Sequence, residues 1–274
     1  MRVRRFGTPD DLICEEVPDP VPNPRQVVIA TEAVGVHFAD LLMIAGRYQV
    51  RPEPPLTPGF EAAGRVIALG SEVDQVGLGD LVGAQPWYGA YAEQVAVDAN
   101  RAYPVPEGVD PAVAAAGFVA YATAHHALFD RAGLRSGETL LVSGATGGVG
   151  TAAVQIGVAS GATVIAAVGD PAKETPALLL GATHAVRYGG PVSLEDAVGS
   201  FTAGRGADVV LDVVGREVLA LTHDEEVGSF GAKELVESWQ PPFSIPRATI
   251  VGEPTQCRLV RMHTDTLVRP LAVA

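Results

Sequence analysis

The sequence predicts an α/β chain in two parts, a mostly β region followed by a doubly wound parallel sheet. Three observations carry this: a strand–glycine turn–helix unit at Thr139–Gly150, strand and helix patterns alternating after it, and short Gly/Pro-punctuated strands before it. At 274 residues the length fits about two domains, with a core large enough to need no staples.

The unit at Thr139–Gly150 reads TLLVSGATGGVG. Thr139 to Ser143 is a short buried strand. Gly144, Gly147, Gly148 and Gly150 follow, and then Thr151–Ser160, with Val154 and Val158 four apart and Gly161 as a helix stop. Glycine is needed where a backbone turns sharply and approaches a pyrophosphate, because a Cβ would collide. The helix start beyond offers free N–H groups and the positive end of its dipole to that anion. The spacing is G-x-x-G-G-x-G, a variant of the G-x-G-x-x-G dinucleotide fingerprint.

In chain order, Pro18–Pro24 is a proline-dense connector that suits neither a helix interior nor a central strand. Gln26–Val36 reads as a strand, 51–58 with its four prolines as a loop, and Glu61–Leu69 as a second strand. Gly77–Asp80 is a turn, and Leu81–Ala84 and Tyr91–Val97 are further strands. From Pro111 the composition turns to alanine, and Pro111–Phe129 reads as helix with a break at Gly117. Beyond the glycine unit come strand 163–168, a helix near 172–180 shortened or kinked by Pro176, strand 184–187 and strand 208–214.

Composition excludes several classes. The formal net charge of −13 disfavours nucleic acid and anionic membrane as partners. No charge-free stretch of some 18 apolar residues is seen, so no membrane span is expected. MRVRRFGTPDD has basic residues without an apolar run behind them, unlike a secretory signal. Cys14 and Cys257, far apart, form neither a disulfide framework nor a metal pair. The expected address is cytoplasmic. Neither Gly-x-Ser-x-Gly nor a tyrosine with lysine four residues later occurs, which disfavours serine hydrolases and short-chain dehydrogenases.

Several motifs together resemble the medium-chain dehydrogenase/reductase superfamily, in its zinc-free quinone oxidoreductase (zeta-crystallin-like) branch. They are Gly35-Val-His-Phe-Ala-Asp40, Gly46-Arg-Tyr48, Pro58-Gly-Phe-Glu-Ala-Ala-Gly64, Gly79-Asp80, Tyr91-Ala-Glu93, Ala122-Thr-Ala-His-His-Ala127 and Ala145-Thr-Gly-Gly-Val-Gly150, in the family's order over roughly 1–215. The resemblance implies a GroES-like β-barrel at 1–116, a Rossmann domain at 117–215 and an atypical segment at 216–274. It also implies an NADPH-dependent oxidoreductase that passes hydride to a quinone or activated alkene without zinc. A homodimer is a further implied possibility.

By that resemblance, Ala145, Gly147, Gly148, Val149 and Gly150 hold the cofactor's phosphates, and Lys173 and Tyr188 grip the 2′-phosphate. Thr123 and His126 lie beside the nicotinamide; His125 and His126 point about 100° apart on a helix and cannot form one patch. Tyr48 stands at the substrate mouth and, with Asp40, positions a carbonyl oxygen or relays a proton; the alternative for Asp40 is to hold a loop through backbone bonds. Val168 stands where NAD-using relatives carry an acid, while Asp170 reads as a cap of the following helix. Zinc enzymes of the superfamily carry cysteine where His37 stands and histidine where Phe60 stands, so no metal is expected, with His37, Asp40 and Glu61 as the weak alternative set.

After Leu211-Asp-Val-Val-Gly215 the resemblance fades, and Ser244–Gly252 faintly echoes one later strand. Missing strands there would leave an exposed parallel edge. Two further readings stay open on this basis: an NADPH-binding protein of weak or no catalytic activity, and a zinc alcohol dehydrogenase, which Phe60 disfavours.

Overall fold

The computed structural model describes residues 1–214, 248–252 and 257–260. The chain divides into two compact units, Met1–Ala120 and Tyr121–Ala274. The sequence reading puts the division at 116/117.

The first unit carries β1 (Gln26–Val34), α1 (Phe38–Ile44), β2 (Ala62–Leu69), β3 (Leu81–Ala84), β4 (Gln94–Asp98) and β5 (Ala102–Pro104). Its five strands pair antiparallel in the order β4-β1-β2-β3-β5. Alternate residues of β1 and β4 face inward: Val27, Ile29, Val95 and Val97 meet Val66 of β2 and Val82 of β3 in one core. That period of two is the signal that made these segments legible as strands.

One element is added and one strand is shortened. Residues 38–44 are helical, because His37 and Asp40 form a capping box at the start of α1. The strand expected from Tyr91 begins at Gln94, because Tyr91 turns aside to a buried partner described below.

Helix α2 (Pro111–His125) runs through the division. Gly117 does not break it, and a Cβ built there meets nothing within 4 Å. On the first unit's side, Ala114 and Ala115 pack with Ala63, and Phe118 lies over Gly83 and stacks on Tyr103 at 5.3 Å. Beyond His125 the helix widens into a π turn, His126–Arg131. Pro111–Arg131 is long and apolar enough to cross a bilayer by length and mean hydropathy, 1.3, with 33% of that window buried. The sequence reading passed over it because alanine, not large apolar residues, supplies the hydropathy.

The second unit contains β6 (Thr139–Ser143), α3 (Gly148–Ala159), β7 (Thr163–Val168), α4 (Glu174–Leu179), β8 (His184–Arg187), α5 (Leu194–Phe201), β9 (Val209–Asp212), β10 (Ala248–Gly252) and β11 (Cys257–Val260). The sheet order is β11-β10-β9-β6-β7-β8, parallel throughout except for the β10–β11 pair. Leu140, Val142, Val164, Ile165 and Ala166 are fully buried, as expected of central parallel strands covered on both faces.

The sheet is therefore mixed, not purely parallel. Nor is it left open at β9, whose outer side pairs with β10. The faint echo at Ser244–Gly252 contains that strand. The rest of the atypical segment at 216–274, apart from β10 and β11, lies outside the described residues. Pro171–Lys173 forms a 3-10 turn ahead of α4, which Pro176 leaves six residues long.

Candidate active site

In the second unit the glycine turn joins the end of β6 to α3. Gly147 N–H donates to Gly144 O at 2.9 Å, and Thr151 N–H makes the first intrahelical bond, to Gly147 O at 2.7 Å. The amides of Gly148, Val149 and Gly150 precede that bond and have no acceptor among the described residues. Gly147 and Gly148 are exposed. A Cβ on Gly150 would fall 2.1 Å from Gly144 O, so only glycine lets the helix start fold back this closely. Together these features make an open rim of backbone donors at the positive end of a twelve-residue helix.

Side chains hold this turn from below. Tyr188 Oη accepts Gly144 N–H at 2.9 Å. Ala145 is fully buried and sends its N–H to Ala167 O. Asp212, 1% exposed at the end of β9, accepts Ser143 Oγ–H and, at 2.9 Å, Val214 N–H. The sequence reading noticed Asp212 within a motif but gave it no task; contact with Ser143, 69 residues away, is what assigns one.

The remaining predicted cofactor residues are spread more widely. Asp170 caps the 3-10 turn, its Oδ1 accepting Ala172 N–H at 2.9 Å, and Lys173 is exposed at the end of that turn. Thr123 is half-buried on α2. His126 is exposed and committed at both ring nitrogens: Nδ1–H donates to Asp130 at 2.8 Å, and Nε2 accepts from Arg131 Nε at 3.0 Å. His125 packs its ring 4.8 Å from that of Phe129.

In the first unit a polar cluster sits at the start of α1. Asp40, 1% exposed, accepts His37 N–H at 2.7 Å and the Tyr91 hydroxyl at 2.9 Å on Oδ2. Glu61 is fully buried; Oε1 lies 2.6 Å from His37 Nε2 and Oε2 accepts the Val119 amide of α2 at 2.6 Å. A Cβ on Gly35 would stand 2.0 Å from Glu61 Oε1, which explains a glycine at the end of β1. Sequence reasoning missed Tyr91 as Asp40's partner and paired Asp40 with Tyr48 instead. Tyr48 packs edge-on to Phe60, with ring centroids 4.9 Å apart.

Burial pushes the Asp40 carboxyl up, against hydrogen bonds from His37 and Tyr91 that lower it. For His37, burial lowers the imidazole, but the bond to Glu61 and the charges of Glu61 and Asp40 outweigh it and hold it above its ordinary value. Burial and the neighbouring Asp40 charge push the Tyr91 phenol far up. The contact with Glu61 at 2.6 Å thus favours the charged imidazole of His37 against its burial, at the point where the helix starts.

Profiles of two families match the chain: "Alcohol dehydrogenase GroES-like domain" over 23–107 and "Zinc-binding dehydrogenase" over 148–241. Quinone oxidoreductase-like protein 2 of Bos taurus is 39% identical over 209 residues, 76% of this chain and 59% of that protein. The chain thus spans well under two thirds of that relative's length. Quinone oxidoreductase of Rattus norvegicus is 33% identical over 256 residues, 92% of this chain and 77% of that protein. Among solved structures, the quinone oxidoreductase of Thermus thermophilus, determined also in complex with NADPH, is 38% identical. It superposes with a TM-score of 0.70, covering 80% of this chain and 68% of that one.

The second profile raises the question of zinc. Phe60 is apolar and buried, and both Glu61 oxygens are already engaged. No group of three or more His, Cys, Asp or Glu is gathered among the described residues. Among the described residues, then, Phe60 and the engaged Glu61 leave His37 without companion zinc ligands.

Proposed function

The chain belongs to the medium-chain dehydrogenase/reductase superfamily, in its quinone oxidoreductase branch, and from that premise we propose that it is an NADPH-dependent reductase of quinones or activated alkenes. The observation that carries the reading is the rim of free amides at Gly148, Val149 and Gly150, held open by Gly150 and anchored through Tyr188. Those amides bind the pyrophosphate. Val168 leaves the end of β7 without the acid that would bond a ribose 2′-hydroxyl and repel a phosphate there, and Lys173 and Tyr188 hold the 2′-phosphate.

Bound in this way, the nicotinamide supplies the hydride. Glu61 and Asp40 hold His37 and the α1 start in place as positioning residues, their carboxylates turned away from solvent. Tyr48 or water donates the proton that follows the hydride. No step passes through a metal. A cytoplasmic address belongs to the same reading.

The test is a fluorescence titration with NADPH and then NADH, followed by steady-state NADPH oxidation with a panel of quinones and enones. Tighter binding of NADPH together with turnover is the expected result. Binding without turnover points to the NADPH-binding protein of weak activity. A dissociation constant for NADH at or below that for NADPH overturns the cofactor assignment.

A further inference from the structure

We propose that Arg187 is a second cationic contact for the cofactor's 2′-phosphate, acting with Lys173; this rests on reading the second unit as an NADPH site. In the β7–β8 ladder Arg187 stands directly opposite Val168, the last residue of β7. Neighbouring strands lie about 4.8 Å apart, so its Cα is within one strand spacing of the position where dinucleotide sheets select their cofactor. At that position an acid bonds a ribose hydroxyl, or a nearby arginine accepts a 2′-phosphate. This chain has valine at the first place and arginine beside it.

The charge inventory points the same way. From Thr139 to Val214 the Lys and Arg residues are Lys173, Arg187 and Arg205. Two of them lie just at or beyond the carboxyl ends of β7 and β8. Elsewhere Arg2, Arg4, Arg5, Arg25 and Arg65 each have a carboxylate partner. Arg187 is half-buried, and its guanidinium has no hydrogen-bond or ion-pair partner among the described residues. Asp170, the acid nearest in sequence to the end of β7, has its carboxylate turned to the Ala172 amide.

Holding a partly desolvated cation without a counter-charge costs stability unless an anion joins it. The stem of Arg187 runs along the Gly189–Gly190 turn: a Cβ on Gly190 would lie 3.5 Å from Nε. A planar guanidinium there can take two phosphate oxygens at once, which the Lys173 ammonium cannot.

The experiment uses the full chain and four probes: NADPH and NADH followed by fluorescence, and 2′,5′-ADP and 5′-AMP followed by calorimetry. Arg187→Ala is expected to weaken NADPH and 2′,5′-ADP about tenfold or more, while NADH and 5′-AMP stay within about twofold. Arg187→Lys should recover part of the loss. Wild-type affinity for 2′,5′-ADP in Arg187→Ala overturns this assignment and leaves the NADPH reading standing. An equal loss for NADPH and NADH also overturns it, because Arg187 would then act through the strand. A wild-type chain that binds neither NADPH nor 2′,5′-ADP overturns both.

Discussion

The two polar sites of this chain are built from opposite materials. The glycine turn of the second unit is made of backbone, is exposed at Gly147 and Gly148, and carries N–H donors that find no acceptor among the described residues. The cluster at the start of α1 is made of side chains, is shut away from water, and spends its charges on neighbours. On the proposed function the first receives an anion, while the second, which already contains its counter-charges, fixes geometry around the reacting groups.

If that division is right, damage to the cluster should appear as lost stability, and damage to the turn as lost binding. Glu61→Ala is the severest test. It removes a fully buried carboxylate and strands both His37 and the Val119 amide, so about 3–5 kcal/mol of folding stability should be lost in urea unfolding. A loss below about 1 kcal/mol, in the range of exposed pairs, would show that water replaces Glu61.

Glu61→Gln refines this through pH. Folded His37 holds its proton above the ordinary 6.5, so the pair's contribution is fully present below that value. It is lost as pH rises through the folded value. The stability gap between wild type and Glu61→Gln should therefore be widest below pH 6.5 and narrow as pH rises above it. In the variant, the His37 midpoint followed by NMR should fall. A gap that widens with pH would contradict the ion pair.

Gly150→Val attacks the other site. Its Cβ must displace the Gly144 carbonyl, a backbone atom that cannot swing aside. Losing a backbone hydrogen bond to a charged phosphate costs about 1.5–3 kcal/mol, so NADPH affinity should drop by about tenfold or more. The His37 signals of the first unit should not move. If they do, the two sites are coupled and the contrast between them fails.

The same contrast explains what the sequence could and could not reveal. The glycine turn is local: strand, glycines and helix follow one another within 139–160, and each letter carries its own conformational reason. The sheet strands were legible for the same reason, from runs such as Thr163–Val168. The cluster is not local. Tyr91 meets Asp40 across 51 positions and Val119 meets Glu61 across 58, and no spacing rule brings such pairs together. Helix α1 was missed because its stability comes from a two-residue capping box and not from a long periodic face. Strand β10 was legible only as a faint echo at Ser244–Gly252, since it is set by pairing with β9 more than by its own short pattern.

Tyr91→Phe should have a smaller effect than either of the first two changes. Asp40 keeps the His37 amide but loses the phenol hydrogen, at a cost of about 1–3 kcal/mol. The phenol bond lowers the Asp40 carboxyl, so removing it raises the folded value further. A raised carboxyl gives up stability as pH climbs through the carboxylate range, so the variant's deficit should be larger at pH 7 than at pH 4. A deficit independent of pH would mean that Asp40 is not charged in the fold.

The smallest expected effect, and the one that tests the contrast most closely, belongs to Tyr188→Phe. Tyr188 is a side chain serving the backbone site: its oxygen accepts Gly144 N–H, and it stands next to Arg187 at the end of β8. Water can reach a half-buried amide, so losing this acceptor should cost only about 1 kcal/mol of stability. The pattern across ligands matters more than the size. If the hydroxyl only supports the turn, affinity for NADPH and NADH falls by the same factor, because both present one pyrophosphate to the same amides. If it also donates its hydrogen to the 2′-phosphate, NADPH loses more than NADH. Equal titration curves for wild type and variant with both cofactors would remove Tyr188 from the site altogether, leaving the turn to be held by its own glycines and by Asp212.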